Sequence, residues 1–118
     1  MDIKNSSSYA LAKEIISFAQ DKKAQEIVLL DIGNLSSIAD YFIICHGEAE
    51  LHVKAIADNI MEKASGKGED IWHYEGYEYF HWIVLDYIDV VVHIFLEDYR
   101  RFYNLERLWG DADLEKFS

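Results

Sequence analysis

The residues in this 118-residue chain with the most chemical potential are four aspartates, Asp31, Asp40, Asp86 and Asp89. Each stands at the edge of an apolar run, and strand ends are where the active sites of α/β sheets gather. Paired carboxylates there could hold magnesium. Aspartate is also frequent at turns, because its carboxylate bonds its own backbone, and that reading competes at all four positions. A metal-dependent nucleotidyltransferase is the sharpest enzymatic alternative. Such a site resembles Gly-Ser followed by Asp-x-Asp, with two metal-holding carboxylates on one strand face. Here Gly33 is followed by Asn34, and Asp40-Tyr41-Phe42 puts a phenylalanine at the second carboxylate position. One carboxylate does not hold two metals. No enzyme, no metal and no cofactor are therefore expected.

Nucleophilic chemistry has a single thiol available, Cys45, next to His46. Strand neighbours point to opposite faces, so the two cannot form a thiolate–imidazolium pair, and Cys45 reads as a small core residue. His46, His52, His73, His81 and His93 show no zinc-type spacing. Gly66-Lys67-Gly68 ends a helical pattern instead of opening one, so it is no phosphate loop.

The elements that must position these groups follow from periodicity. Residues 8–20 carry Leu11, Ile15 and Phe18 at helical spacing, with caps offered by Ser6-Ser7-Ser8. Ile27-Val28-Leu29-Leu30 and Tyr41-Phe42-Ile43-Ile44-Cys45 read as strands buried on both faces. Val53, Ile56, Ala57, Ile60, Met61 and Ala64 define a second helix, stopped at Gly66 and Gly68. Strands are expected near 70–74, 79–86 and 89–96, and a helix or two short ones from Asp98 to about Leu108. The order α-β-β-α-β-β-β-α predicts one α/β domain over 1–118, with a mixed sheet of about five strands flanked by helices.

The last two strands read as a hairpin. A Tyr87-Ile88 loop would set Trp82 opposite His93 and Phe80 opposite Phe95. One face then holds Ile83, Leu85, Val90, Val92 and Ile94. The other carries Phe80, Trp82, Val84, Val91, His93 and Phe95, with Asp86 and Asp89 at the turn. Of the 17 aromatic residues, 12 lie between Trp72 and Trp109, more than one aliphatic core requires. Either a helix covers the aromatic face or a partner does. His93 reads equally as a buried core histidine or as a polar point of a binding face.

Net charge is −11, and residues 69–118 hold 12 acids against 4 bases. That field repels phosphate backbones, so no direct nucleic-acid binding is expected and a basic protein partner fits better. The lone cysteine and the lack of any membrane-length apolar run point to a cytoplasmic, non-membrane protein.

Several segments together resemble one known family. They are Leu30-Asp31, Ser36-Ser37, Asp40 to Gly47, Val53 to Ala57, Glu75-Gly76-Tyr77, Trp82 to Asp86, Val91-Val92-His93 and Tyr103 to Ala112. In that order and spacing the chain is similar to the ribosomal silencing factors, the Iojap-like family. The resemblance implies a nucleotidyltransferase-like fold without the catalytic carboxylates. It implies binding to the large ribosomal subunit through its fourteenth ribosomal protein, on the face that meets the small subunit. Subunit joining would be blocked and translation lowered under nutrient limitation. Homodimers also occur in the family; separately, the aromatic excess leaves a protein that only dimerises as a further alternative. Partner-binding residues carry over onto Trp82 first, then Asp86, His93 and Phe95; the closing helix, with Tyr99, Arg100 and Tyr103, is the other candidate contact. Two positions depart from the family pattern. Ala49 stands where a serine is usual, and Ile88 where the hairpin usually has glycine. A β-branched residue resists a positive φ, so a wider loop is expected there.

Overall fold

The computed structural model describes residues 7–117. In chain order it contains α1 (Ser7–Gln20), β1 (Gln25–Asp31), β2 (Tyr41–Gly47), α2 (Glu50–Gly66), β3 (His73–Glu75), β4 (Trp82–Asp86), β5 (Val90–Leu96), α3 (Glu97–Tyr103), α4 (Leu105–Leu108) and β6 (Asp113–Phe117). Ser6, offered as a cap, lies outside the described residues. Ser8 sits inside α1, and its hydroxyl donates to Asp40 Oδ2 at 2.9 Å, tying the helix to the start of β2.

The six strands form one sheet in the order β3-β4-β5-β2-β1-β6. Only β2 and β5 run parallel; the other neighbours are antiparallel, so the sheet is mixed as expected. One strand more than expected is present. β6 pairs with β1 from Ile27–Phe117 to Asp31–Asp113. Its sequence, Asp-Leu-Glu-Lys-Phe, is three-fifths charged, as suits an edge strand, and gave no apolar run to read.

Alternation of side chains divides the core into two layers. The first is closed. Ile27 and Leu29 of β1, Tyr41, Ile43 and Cys45 of β2, Ile83 and Leu85 of β4, and Val90, Val92 and Ile94 of β5 pack under α1 and α2. Ile15, Ile43, Ile56, Ile60 and Ile83 are all fully enclosed there, each contributing about 2 kcal/mol of transfer free energy. Asn59, the polar residue α2 buries here, donates to Phe18 O at 2.8 Å and so joins the two helices.

The second layer is thinner. Val28, Leu30, Phe42, Ile44, Val91 and Phe95 lie on the opposite face, roofed by Leu105 of α4 with Trp109 and Ala112. Phe42, at the position where a second catalytic carboxylate would stand, meets His93 and Trp109 edge-on with ring centroids 4.6 and 5.5 Å away. The covering expected for this face therefore exists, but only over part of it.

Three expectations about the hairpin need correction. Trp82 faces Phe95, and His93 lies opposite Val84. The pairing is displaced by two residues from the one drawn, and since two is the side-chain period the assignment of β5 and β4 residues to faces survives. The loop is also no wider than two residues. Tyr87 N–H donates to Val90 O at 2.9 Å, enclosing Ile88 and Asp89. Ile88 takes φ +74°, the left-handed region a β-branched residue resists. Asp86 Oδ1 accepts the Ile88 N–H at 2.7 Å and braces that turn. Phe80, finally, is not on the Trp82 face. It has φ +58° in a turn closed by its N–H on Gly76 O, which breaks the alternation and sends its ring to the first core layer. Gly76 permits that turn: at φ +96°, a Cβ there would stand 2.1 Å from Trp82 O.

Candidate functional site

Trp82 opens β4 on the second face, beyond the reach of the α4 roof. Its ring stacks on Phe95 at 4.9 Å and 27°, and meets Tyr103 of α3 at 4.7 Å. Its indole N–H donates to His93 Nδ1 at 3.1 Å. An indole nitrogen only donates, so Nδ1 must be the bare nitrogen of His93 and the ring proton sits on Nε2. Burial alone pushes the His93 pKa down to about 4, so the acceptor is available throughout the neutral range. The edge-on ring of Phe42 holds the imidazole in place from its other side.

Around this buried base stands an exposed aromatic ridge. The short helix α3 places Tyr99, Phe102 and Tyr103 at i, i+3 and i+4, hence on adjoining positions of one surface. Phe102 is 80% exposed, Tyr103 44% and Tyr99 36%. Tyr99 stacks on His81 at 4.4 Å and 14°, and His81 in turn on Tyr79. Two shallow grooves of about 630 and 650 Å³ share Tyr99 and Tyr103 as walls; the first reaches Trp82, Tyr79 and His81, the second Phe102 and Asp98. Neither converges polar groups on a point, as a catalytic site would.

The structure separates the six residues expected to bind a partner. Trp82, Asp86 and Tyr99 reach the surface. Phe95, His93 and Arg100 do not: they are 0%, 7% and 4% exposed. Phe95 is covered by the Trp82 and Tyr103 rings, and His93 by Phe42 and Trp82. Arg100 turns inward from α3. Its guanidinium donates to His46 Nδ1 at 2.9 Å, to Gln25 O at 3.3 Å, and to Glu106 Oε2 at 3.1 and 2.9 Å. It thereby fastens α3 and α4 to β1 and β2. Phe102, Tyr79 and His81 were not read as site residues. The spacing of Tyr99, Phe102 and Tyr103 in a helix too short to bury a full face was the available signal.

Cys45 and His46 lie on opposite faces, as strand alternation requires. Cys45 is in the first core layer with its pKa pushed up to about 12 by burial. His46 is fully buried on the other side, where its Nε2 lies 3.7 Å from Glu26 and 4.0 Å from Glu97. Among the described residues these three form the group with metal-ligand donors within 4.8 Å of one another. The chemistry argues against a metal. A neutral imidazole has one lone pair, and Arg100 occupies it at Nδ1, leaving a proton on Nε2. Arg101 further holds Glu26 and Glu97, each at 3.0 Å. Hydrogen bonding to Arg101 depresses the Glu26 pKa. Of the four aspartates, Asp86 braces the turn at Ile88, Asp40 accepts from the Ser8 hydroxyl of α1, and Asp31 is the last residue of β1.

A family model described as "Ribosomal silencing factor during starvation" matches residues 5–118. A ribosomal silencing factor of Halalkalibacterium halodurans is 45% identical over 106 residues, covering 90% of this chain and 91% of that one. One from Bacillus subtilis is 43% identical over 105 residues, 89% of each. A mitochondrial Iojap-related protein of Arabidopsis thaliana is 31% identical over 92% of this chain and 61% of its own. Among solved structures, a Chromobacterium violaceum protein superposes with a TM-score of 0.86 at 34% identity, over 89% of this chain and 88% of that one. A Bacillus halodurans protein gives 0.79 at 42% identity, over 86% and 94%.

Proposed function

The chain belongs to the ribosomal silencing factor family, and from that premise we propose that it works by docking its aromatic ridge on the large ribosomal subunit. The contact is the fourteenth large-subunit ribosomal protein, on the face that meets the small subunit. Occupying it blocks subunit joining and lowers translation when nutrients are scarce. The role is steric and needs no catalytic group, and the protein acts in the cytoplasm.

The observation that carries this reading is the ridge itself. Trp82, Tyr99, Phe102 and Tyr103 form a contiguous, partly exposed aromatic surface on a rigid sheet and helix, the residue types that dominate interface energetics. The net charge of −11 favours encounter with basic ribosomal proteins. Phe95, His93 and Arg100 serve the interface from beneath. Phe95 stacks under Trp82, His93 fixes its indole, and Arg100 anchors the helix that carries the tyrosines.

Co-sedimentation with large subunits, followed by a subunit-joining assay, tests the proposal. Wild type co-migrates and blocks joining, and Trp82→Ala loses both. Equal blocking by the two proteins removes the ridge from the interface, and absence of binding by wild type removes the function. The ridge also suits a second copy of the chain, because Phe102 and Tyr103 expose 80% and 44% of their surfaces. A protein that only dimerises would dissociate as Trp82→Ala in a sedimentation run and show no effect on subunits.

A further inference from the structure

We infer that the tip of the β4–β5 hairpin is a second docking point for the same basic partner, built from Ile88, Trp72 and Ile38 within an acidic rim. This rests on the ribosome-docking reading and extends it along the sheet. The starting observation is Ile88. A β-branched residue at φ +74° is strained, and strain of this kind persists where the surroundings or function require it. The Ile88 side chain is 58% exposed and belongs to neither core layer. It projects instead over a groove of about 460 Å³, whose other walls are Ile38, Trp72 and Asp86. Ile38 is 66% exposed and Trp72 69%, so three large apolar side chains meet at one wet surface. Trp72 is held there by its backbone, its N–H donating to Asp86 O at 2.9 Å.

Charge says what fits. The groove's walls come from segments 31–40, 69–72 and 86–90, whose charged residues are Asp31, Asp40, Glu69, Asp70, Asp86 and Asp89, with no lysine or arginine. Asp40 and Asp89 are neighbours across the rim, since both Asp40 N–H and Tyr41 N–H donate to Asp89 O. An apolar centre flanked by carboxylates, with the His73 ring 5.9 Å from that of Trp72 as the adjoining titratable group, matches a basic protein segment that presents an aliphatic or aromatic anchor flanked by lysine or arginine. Geometry places it within reach of the ridge. From Trp82 to Ile88 is six residues, the first four steps in β4 and the last two in the turn, so the separation is under about 20 Å at ~3.3 Å per extended residue. A partner covering roughly 800 Å², hence about 30 Å across, spans both. Val84 and Asp86 lie between them on the same face of β4, so the surface is continuous.

The test uses Bacillus subtilis large ribosomal subunits as the probe, with the full chain. Ile88→Gly relieves the strained turn and removes the anchor. It is expected to unfold at a higher temperature than wild type yet bind subunits about tenfold more weakly, a pairing that loss of fold cannot produce. Trp72→Ala, at an exposed position, is expected to weaken binding to a similar extent. Asp86→Asn with Asp89→Asn retains the side-chain acceptor for Ile88 N–H and is expected to slow association more at low salt than at high salt. Binding of Ile88→Gly and Trp72→Ala within twofold of wild type, while Trp82→Ala fails to bind, overturns the tip as a docking point and leaves the ridge standing. Failure of wild type itself to bind overturns the ribosome reading and this inference with it. A shift of the free protein from dimer to monomer in Ile88→Gly also overturns it, by making the tip a contact between copies.

Discussion

The two faces of the sheet are built from the same strands and finished differently. On one, α1 and α2 close over Ile43, Ile60, Ile83 and their neighbours, leaving a dry aliphatic layer. On the other, the four-residue α4 and Trp109 roof only part of the sheet, and aromatic rings carry the surface onward into solvent. The closed face contributes stability. On the docking reading proposed above, the half-open face suits recognition, because a side chain that is stacked underneath and exposed above is rigid before it meets a partner, so little rotamer entropy is lost on binding.

The comparison is open to attack from both sides. The largest expected effect is on the closed face: Ile60→Ala leaves a cavity and costs about 4 kcal/mol, read as a fall in the urea midpoint. A loss under about 1 kcal/mol would mean that the helices do not seal this layer. Next is acid. His93 titrates near 4 in the fold and near 6.5 when unfolded, so between these values the unfolded chain binds more protons. Stability is complete above about pH 6.5 and falls as pH drops toward 4, by up to about 3 kcal/mol. His46, also lowered by burial and then by Arg100, acts in the same direction. In His93→Gln the stability profile between those pH values should flatten. An unchanged slope would show that the open face does not hold the buried base described here. A smaller gain is expected from Ala49→Ser. Ala49 is the N-cap of α2 with extended backbone and no side-chain bond to the helix. A serine hydroxyl there should add about 1 kcal/mol in thermal or urea unfolding. The smallest change is expected at Phe102→Ala on the ridge: within about 0.5 kcal/mol in stability, with a clear loss of subunit binding. If stability and binding fell together, the division of labour between the faces would fail.

Most of the closed face was legible in the sequence, because it depends on periodicity. Ile83, Leu85, Val90, Val92 and Ile94 alternate cleanly, and α2 repeats its apolar residues at helical spacing. The hairpin register was not legible, because it turns on one residue. Ile88 occupies a backbone region its type disfavours, and only the Asp86 carboxylate and the closing Tyr87–Val90 bond reveal why the turn stays tight. β6 escaped notice for the opposite reason: an edge strand must be charged, and charge hides it among loops. Within the candidate site, Trp82, Asp86 and Tyr99 reach the surface. The burial of Phe95, His93 and Arg100 depends on groups as far as 75 residues away in sequence. Distances of that kind leave no local pattern.

The strand order carries a consequence for how this molecule is born. α3, α4 and β6 follow every other described element, yet β6 pairs with β1, near the other end of the chain. During synthesis the closed face can form while these last elements are still emerging, but the half-open face cannot. Tyr99, Phe102, Tyr103, the Arg100 anchor and the α4 roof all arrive together, and late. On the docking reading, a nascent copy whose α3 has not yet emerged lacks the aromatic ridge, so the surface proposed to meet the ribosome is assembled after the closed face.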